Sequence, residues 1–232
     1  MKRLQAAPEE AVRIFGEKVP CTEIACGKYA QMVWPRIFPL MHFEVKWYRA
    51  PSFGNIFSMY TRAGKGMMEL ATLVFTPNVG TDVPLLLIDL MKMKKKQAAF
   101  VEFYDCTENG APAAELQKTA RQFADIPDYP EKPAWYVKER TPYSLIKGGK
   151  AGTDDQALEV MLLQMLRTYA VQCSQRRETE GGNLTGLENF VNRMVQEGNP
   201  ASATLCRVLG AKEAEVFFRK MVMPLQYQDG TV

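Results

Sequence analysis

Val83-Pro-Leu-Leu-Leu-Ile-Asp-Leu-Met91 is an apolar run with a single carboxylate, Asp89, near its end. Turn residues bound it: Pro77 and Gly80 before, and the basic stretch Lys92-Met-Lys-Lys-Lys96 after. A short apolar run between turn signals reads as a strand buried on both faces. Strands of the same kind lie on either side, Met67 to Phe75 upstream and Ala98 to Asp105 downstream. Further upstream, His42 to Tyr48 and Asn55 to Thr61 alternate with period two, and Ala63-Gly-Lys-Gly66 marks the turn after them. Connections this short join antiparallel neighbours, so the centre of the chain reads as a meander of at least four strands. Strands apolar on both faces need helices on both sides.

The flanks supply them. Pro8-Glu-Glu10 opens a helical stretch, with proline in the first turn where its missing N–H costs little. A second apolar segment, Ile24 to about Phe38, completes a first forty residues that read as helical, with a break at Pro35. After the sheet, Ala113 to Phe123 reads as a short helix and Trp135 to Ile146 as irregular or extended. Thr153-Asp-Asp-Gln156 and Thr185-Gly-Leu-Glu188 match capping boxes and open helices that run to about Gln175 and Gly198. Ser202 to Leu209 and Ala211 to Met221 follow, split by Gly210. The expected fold is α+β: a three-layer α/β/α sandwich with a central antiparallel sheet flanked by helices. At 232 residues, one domain over 1–232 is the default.

Composition removes several function classes. Lysine and arginine number 29 against 26 aspartates and glutamates, a net charge of +3, too mild to argue for nucleic acid. No window nears the roughly 18 apolar residues of a membrane span, and Met1 to Ala7 lacks the apolar core of a signal peptide. A protein of the cytosol, or soluble inside an organelle, is expected. The five cysteines (Cys21, Cys26, Cys106, Cys173 and Cys206) are irregularly spaced and the single histidine is His42. A metal site is therefore not expected, and electrons for any redox chemistry must come from outside. Ala63-Gly-Lys-Gly66 and Gly148-Gly-Lys-Ala-Gly152 do not complete a phosphate loop and read as turns. No G-x-G-x-x-G stands in a βαβ setting, and no G-x-S-x-G elbow is present.

Leu70-Ala-Thr-Leu-Val-Phe-Thr-Pro77, followed by Asp82-Val-Pro-Leu-Leu-Leu-Ile-Asp-Leu90, resembles the ferredoxin-dependent bilin reductases, in which a strand ending in Phe-Pro precedes a D-x-P-x-x-x-x-D stretch. Ala98 to Asp105 is similar to the family's next strand. Gln196-Glu-Gly-Asn-Pro200, Glu213 to Phe218 and Met223-Pro-Leu225 resemble its closing helices. The red chlorophyll catabolite reductases share the superfamily. The resemblance spans roughly residues 40 to 225. It implies a linear tetrapyrrole, such as biliverdin, held between the sheet and the C-terminal helices. It also implies no tightly bound cofactor, single electrons from ferredoxin or flavodoxin, and side chains that supply protons.

On that resemblance Asp89 falls on the family's catalytic aspartate. Its apolar neighbours support the role independently, because desolvation favours the protonated form. Its pKa must climb from about 3.9 to near neutrality, a cost of roughly 4 kcal/mol within the reach of burial. The alternative is an aspartate that hydrogen-bonds the turn before Lys92. Thr72 stands where family members carry histidine or asparagine, and Asn199 (or Pro200, one residue along) where they carry a second aspartate. Neither is an acid, which leaves a non-catalytic tetrapyrrole carrier as the competing reading. Tyr60 lies near a strand carboxylate of some members, or else is a cross-strand aromatic. Lys147 lies near a basic residue that anchors a propionate, or else is a solvated loop lysine. Glu69 and Glu102 read as solvent-facing. Lys92, Lys94, Lys95 and Lys96 form either a docking patch for an acidic electron carrier or a soluble hairpin tip.

Overall fold

A computed structural model describes residues 4–35, 37, 40–177 and 184–225. Its centre is an eight-stranded antiparallel sheet. The strands are β1 (Thr22–Ile24), β2 (Gln31–Trp34), β3 (Met41–Ala50), β4 (Gly54–Ala63), β5 (Met68–Pro77), β6 (Leu85–Met93), β7 (Lys96–Tyr104) and β8 (Leu145–Lys150). The order is β1-β3-β4-β5-β6-β7-β8, and β2 pairs with the other half of β3. The meander expected from 42 to 105 is present, each hairpin joining sequence neighbours.

Side-chain alternation explains why these strands look apolar throughout. Leu86, Ile88 and Leu90 of β6 pack with Ala71, Leu73 and Phe75 of β5 into one core. That face is covered by α1 (Ala7–Gly16), α2 (Ala114–Arg121) and α3 (Asp155–Ser174). Leu85 of β6 and Val74 of β5 point the other way, with Trp47 and Phe57, into a second core. There α4 (Leu184–Gln196), α5 (Ser202–Leu209) and α6 (Ala211–Phe217) cover the sheet, and a π-helical turn, Phe218–Val222, closes the described chain. The architecture is the expected α/β/α sandwich.

Four local expectations are corrected. The segment from Ile24 is not helical: after a turn at Gly27–Tyr29 it becomes β2, whose burial alternates along Gln31 to Trp34. Period-two burial suits pairing with the otherwise open edge of β3, and an unpaired edge is a liability; the end of that segment, residues 36 and 38, lies outside the described residues. Gly148 and Gly149 are not a turn but belong to β8. Their missing side chains admit Tyr129 and Asp154, since a Cβ on Gly148 would lie 2.7 Å from the Tyr129 ring. Helix α3 starts without a capping box, and its approach is held instead by the Asp154 and Asp155 carboxylates, which accept the Lys150 and Gly152 N–H groups. Thr185 lies inside α4 rather than capping it.

Gly186 sets how closely α4 approaches the sheet. A Cβ there would lie 2.1 Å from the Cys106 carbonyl oxygen just beyond β7. Alanine favours a helix over glycine by about 1 kcal/mol, but a backbone clash this close forces α4 outward. Gly186→Ala is expected to lower stability by about 1–3 kcal/mol, read as a lower midpoint in thermal or urea unfolding. An unchanged or higher midpoint would contradict this close approach.

Candidate functional site

A cavity of about 240 Å³ lies between the second face of the sheet and the C-terminal helices. Its floor comes from alternate residues of β3 to β6, among them Phe57, Met59, Leu70 and Val74. Its roof comes from Met194 of α4, the loop 199–201, α5, α6 and the π-helical turn. The lining is mostly apolar, and five of its residues are methionines: Met41, Met59, Met68, Met194 and Met223. Five more are polar: Thr61, Thr72, Asp89, Asn199 and Thr204. Asp89 is the only ionisable residue among them.

The register of β5 on β6 sets Thr72 directly opposite Asp89. The Thr72 hydroxyl donates a short hydrogen bond to Asp89 Oδ1. Asp89 has no ion-pair partner among the described residues, and burial pushes its pKa up to about 7. The Thr72 hydrogen bond opposes that rise, a nearby Glu102 adds to it and Arg140 resists it. The carboxyl keeps partial access through the cavity while protein surrounds its other sides. A carboxylic acid that keeps its proton up to about pH 7 beside an apolar cavity can donate that proton at neutral pH.

Glu102 is the second acid of this sheet face, and here the structure overturns the solvent-facing expectation. It is only 4% exposed. It lies across from Leu87, one alternation along from Asp89. Unlike Asp89 it is fully partnered: Arg140 Nε donates to Glu102 Oε2 at 2.8 Å, and the Tyr104 hydroxyl donates to the same oxygen. Arg140 forks its other nitrogens onto Glu131 at 2.6 and 2.8 Å. Burial raises the Glu102 pKa and Arg140 is the largest opposing influence. Glu102 does not line the cavity.

Three of the expected residues converge and two do not. Asp89, Thr72 and Asn199 line one cavity. The Asn199 amide is already engaged, however. Its Oδ1 accepts the Ala201 N–H at 3.0 Å and its Nδ2 donates to the Met194 carbonyl at 3.1 Å. The side chain holds the turn into α5. Tyr60 and Lys147 are corrected, because both belong to the opposite face of the sheet. Tyr60 is buried in the first core and donates to Glu69 Oε1 at 2.5 Å. Lys147 pairs with Ala99 across β7 and β8 and reaches Asp128 at 2.8 Å. Strand alternation is the reason, since a shift of one residue exchanges the faces. Thr61, one residue beyond Tyr60, is the cavity residue of β4 that sequence reading missed, although its phase with Phe57 and Met59 marks it.

Lys94 and Lys95 form the tip of the β6–β7 hairpin, and with Lys96 they are exposed. Lys92 is half-buried and lies 4.0 Å from Asp155. Among the described residues no helix is long and apolar enough to cross a membrane.

No protein-family model matches the chain, and no curated protein matches it in sequence. Among solved structures, phytochromobilin synthase from tomato in complex with biliverdin matches with a TM-score of 0.78 at 9% identity. The match covers 95% of this chain and 82% of that one. The resemblance to the bilin reductases drawn from the sequence therefore extends to the fold.

The buried Asp89 makes stability depend on pH in a defined direction. Its folded pKa, about 7, lies above its ordinary value of 3.8, so the folded state holds the proton more tightly. That contribution is fully present below about pH 4 and is lost as pH rises through 7. Asp89→Asn still offers an oxygen to Thr72 and has nothing to ionise. The variant is expected to gain about 4 kcal/mol relative to wild type between pH 4 and pH 8. Urea unfolding at both pH values measures the difference; a difference independent of pH would mean that Asp89 titrates normally.

Proposed function

We propose that this chain is an oxidoreductase that binds a linear tetrapyrrole of the biliverdin class in the cavity and reduces it. Single electrons come from ferredoxin or flavodoxin, and Asp89 delivers protons to the electron-rich ligand. One observation carries the reading: among the described residues, the cavity of a fold shared with a biliverdin-binding synthase has one ionisable side chain, and that side chain is an acid neutral up to about pH 7. No tightly bound cofactor enters the scheme, and the setting is the cytosol or a soluble organelle interior, within one domain over 1–232.

The cavity volume lies below the roughly 300–1,000 Å³ of ordinary small-molecule sites. The five methionines are the means of expansion. Unbranched thioether side chains change rotamer cheaply and mould to flat aromatic ligands. A planar conjugated molecule that pushes these side chains aside brings its ring system against Asp89.

A carrier that binds without reducing is the second reading. Asn199 favours it, because an amide is no acid and the described lining then offers a single acid for a reaction that consumes two protons. One titration decides. Biliverdin is added to the protein and its absorption recorded; reduced ferredoxin is then added without oxygen. The expected result is a perturbed spectrum on binding and bleaching of the long-wavelength band on reduction. Asp89→Asn should keep the first change and slow the second by about 10²-fold or more. Binding without reduction in wild type would leave the carrier, and no perturbation at all would remove both readings.

The lysines at the hairpin tip give the second test. Asp89 lies four residues from the end of β6, about 13 Å along the strand. Positive charge there favours an acidic electron donor through encounter rate. Lys94→Glu, Lys95→Glu and Lys96→Glu combined should reduce the rate with ferredoxin about tenfold at low salt, with little loss at high salt. Biliverdin affinity should not move. A rate insensitive to the triple change would return the tip to a solubilising role.

A further inference from the structure

Buried hydroxyls in proteins are almost always hydrogen-bonded, and each exception calls for a physical reason. Thr61 is such an exception. It is 2% exposed, and its Oγ1 has no hydrogen-bond partner among the described residues. Of the buried side-chain polar atoms left in that state, only the Thr61 hydroxyl belongs to the cavity lining. Its same-face neighbours are Phe57 and Met59 along β4, and Leu70 directly across on β5. Packing alone would be served better by valine, which has the same shape, a strand-favouring branch and no polar atom to desolvate.

The other polar side chains are differently placed. Thr72 spends its hydroxyl on Asp89, and Asn199 spends both arms of its amide on backbone. Thr204 is only half-buried on α5, so solvent can satisfy it. Thr61 is thus the one buried group of the cavity whose hydrogen-bonding capacity is wholly unused.

Register fixes where that capacity lies. Thr72 pairs with Met59 on one side and with Asp89 on the other, and Thr61 is two residues beyond Met59. Thr61, Thr72 and Asp89 therefore run diagonally across three neighbouring strands on one face. With strands about 4.8 Å apart and a rise of about 3.4 Å per residue, Thr61 and Asp89 are roughly 12 Å apart. An elongated conjugated ligand lying on this face meets an acid at one place and a free hydroxyl at the other.

We propose that Thr61 is a ligand-binding residue of the cavity, its hydroxyl pairing with a carbonyl or ring N–H of the tetrapyrrole at a point remote from Asp89. This rests on the cavity being a bilin site. A hydroxyl both donates and accepts, so it suits a lactam edge, which presents a C=O and an N–H side by side. With the ligand bound the hydroxyl gains a partner that no described protein group supplies.

The test compares wild type with Thr61→Val, Thr61→Ala and Thr61→Ser in a spectrophotometric titration with biliverdin, beside thermal unfolding of each free protein. Thr61→Val is expected to weaken biliverdin binding about threefold to tenfold, the worth of one hydrogen bond, and to unfold at the same or a higher temperature. Thr61→Ser, which keeps the hydroxyl, should bind within about twofold of wild type. Thr61→Ala repeats the loss of binding should the valine not fold. Equal affinity in wild type and the hydroxyl-free variants would overturn the proposal, as would a serine variant as weak as valine. If wild type itself leaves the biliverdin spectrum unperturbed, the bilin reading fails and the Thr61 proposal falls with it.

Discussion

The central strands carry apolar side chains on both faces, and this governs everything around them. Leu86, Ile88 and Leu90 need cover on one side, while Leu85 and Val74 need it on the other. The two covers are not equivalent. On the first face α3 runs for 20 residues, about 30 Å, enough to span the strands in one element. On the second face the work falls to α4 and then to two helices of 8 and 7 residues, each about 10–12 Å long, ending in a π-helical turn. Short helices with loops between them cannot seal a surface that a single long helix can. The cavity opens on that face, where the roof is assembled from several pieces.

Two carboxylates lie on this face within one alternation of each other, and their surroundings set them apart. Glu102 has an arginine and a tyrosine on one oxygen, and the arginine is itself held by Glu131. A buried ion pair of this kind is satisfied and fixed. Among the described residues Asp89 has only the Thr72 hydroxyl, a neutral donor too weak to cancel the cost of burial. Charge beside charge makes a structural element; an acid without a cation keeps its proton until neutral pH and can give it away. Thr72 matters here for what it is not. A cationic side chain opposite Asp89 would hold the carboxyl ionised and leave it no proton to give.

Much of this was legible in the chain. Apolar runs divided by tight turns, from 42 to 105, specify an antiparallel meander, and their lack of a polar face specifies helices on both sides. Asp89 was legible as a charge in an apolar strand. Glu102 carries the same signal within Ala98 to Asp105, and what separates the two is Arg140, some forty residues on, which no local pattern reveals. The faces of Tyr60 and Lys147 were hidden for a related reason. A resemblance places residues to within about one position, and one position along a strand is the difference between the cavity and the opposite core. The edge strand β2 was hidden because four residues cannot display a period clearly enough to compete with apolar content.

The single acid has a consequence for the proposed chemistry. Reduction of one double bond takes up two electrons and two protons, while Asp89 holds one proton at a time. It must therefore be recharged within each cycle, from water that reaches the cavity. A fully sealed carboxyl would be recharged slowly, and a fully exposed one would lose the desolvation that keeps it neutral. Asp89 sits between these limits, surrounded by protein on most sides yet open to the cavity. Its pKa of about 7 means that the neutral and ionised forms differ little in free energy at neutral pH, so giving and regaining the proton are both nearly balanced steps. Placing the acid in the middle of β6 leaves the cavity as its way to solvent, and the apolar floor of Leu87 and Val74 keeps the proton in place until a stronger base arrives.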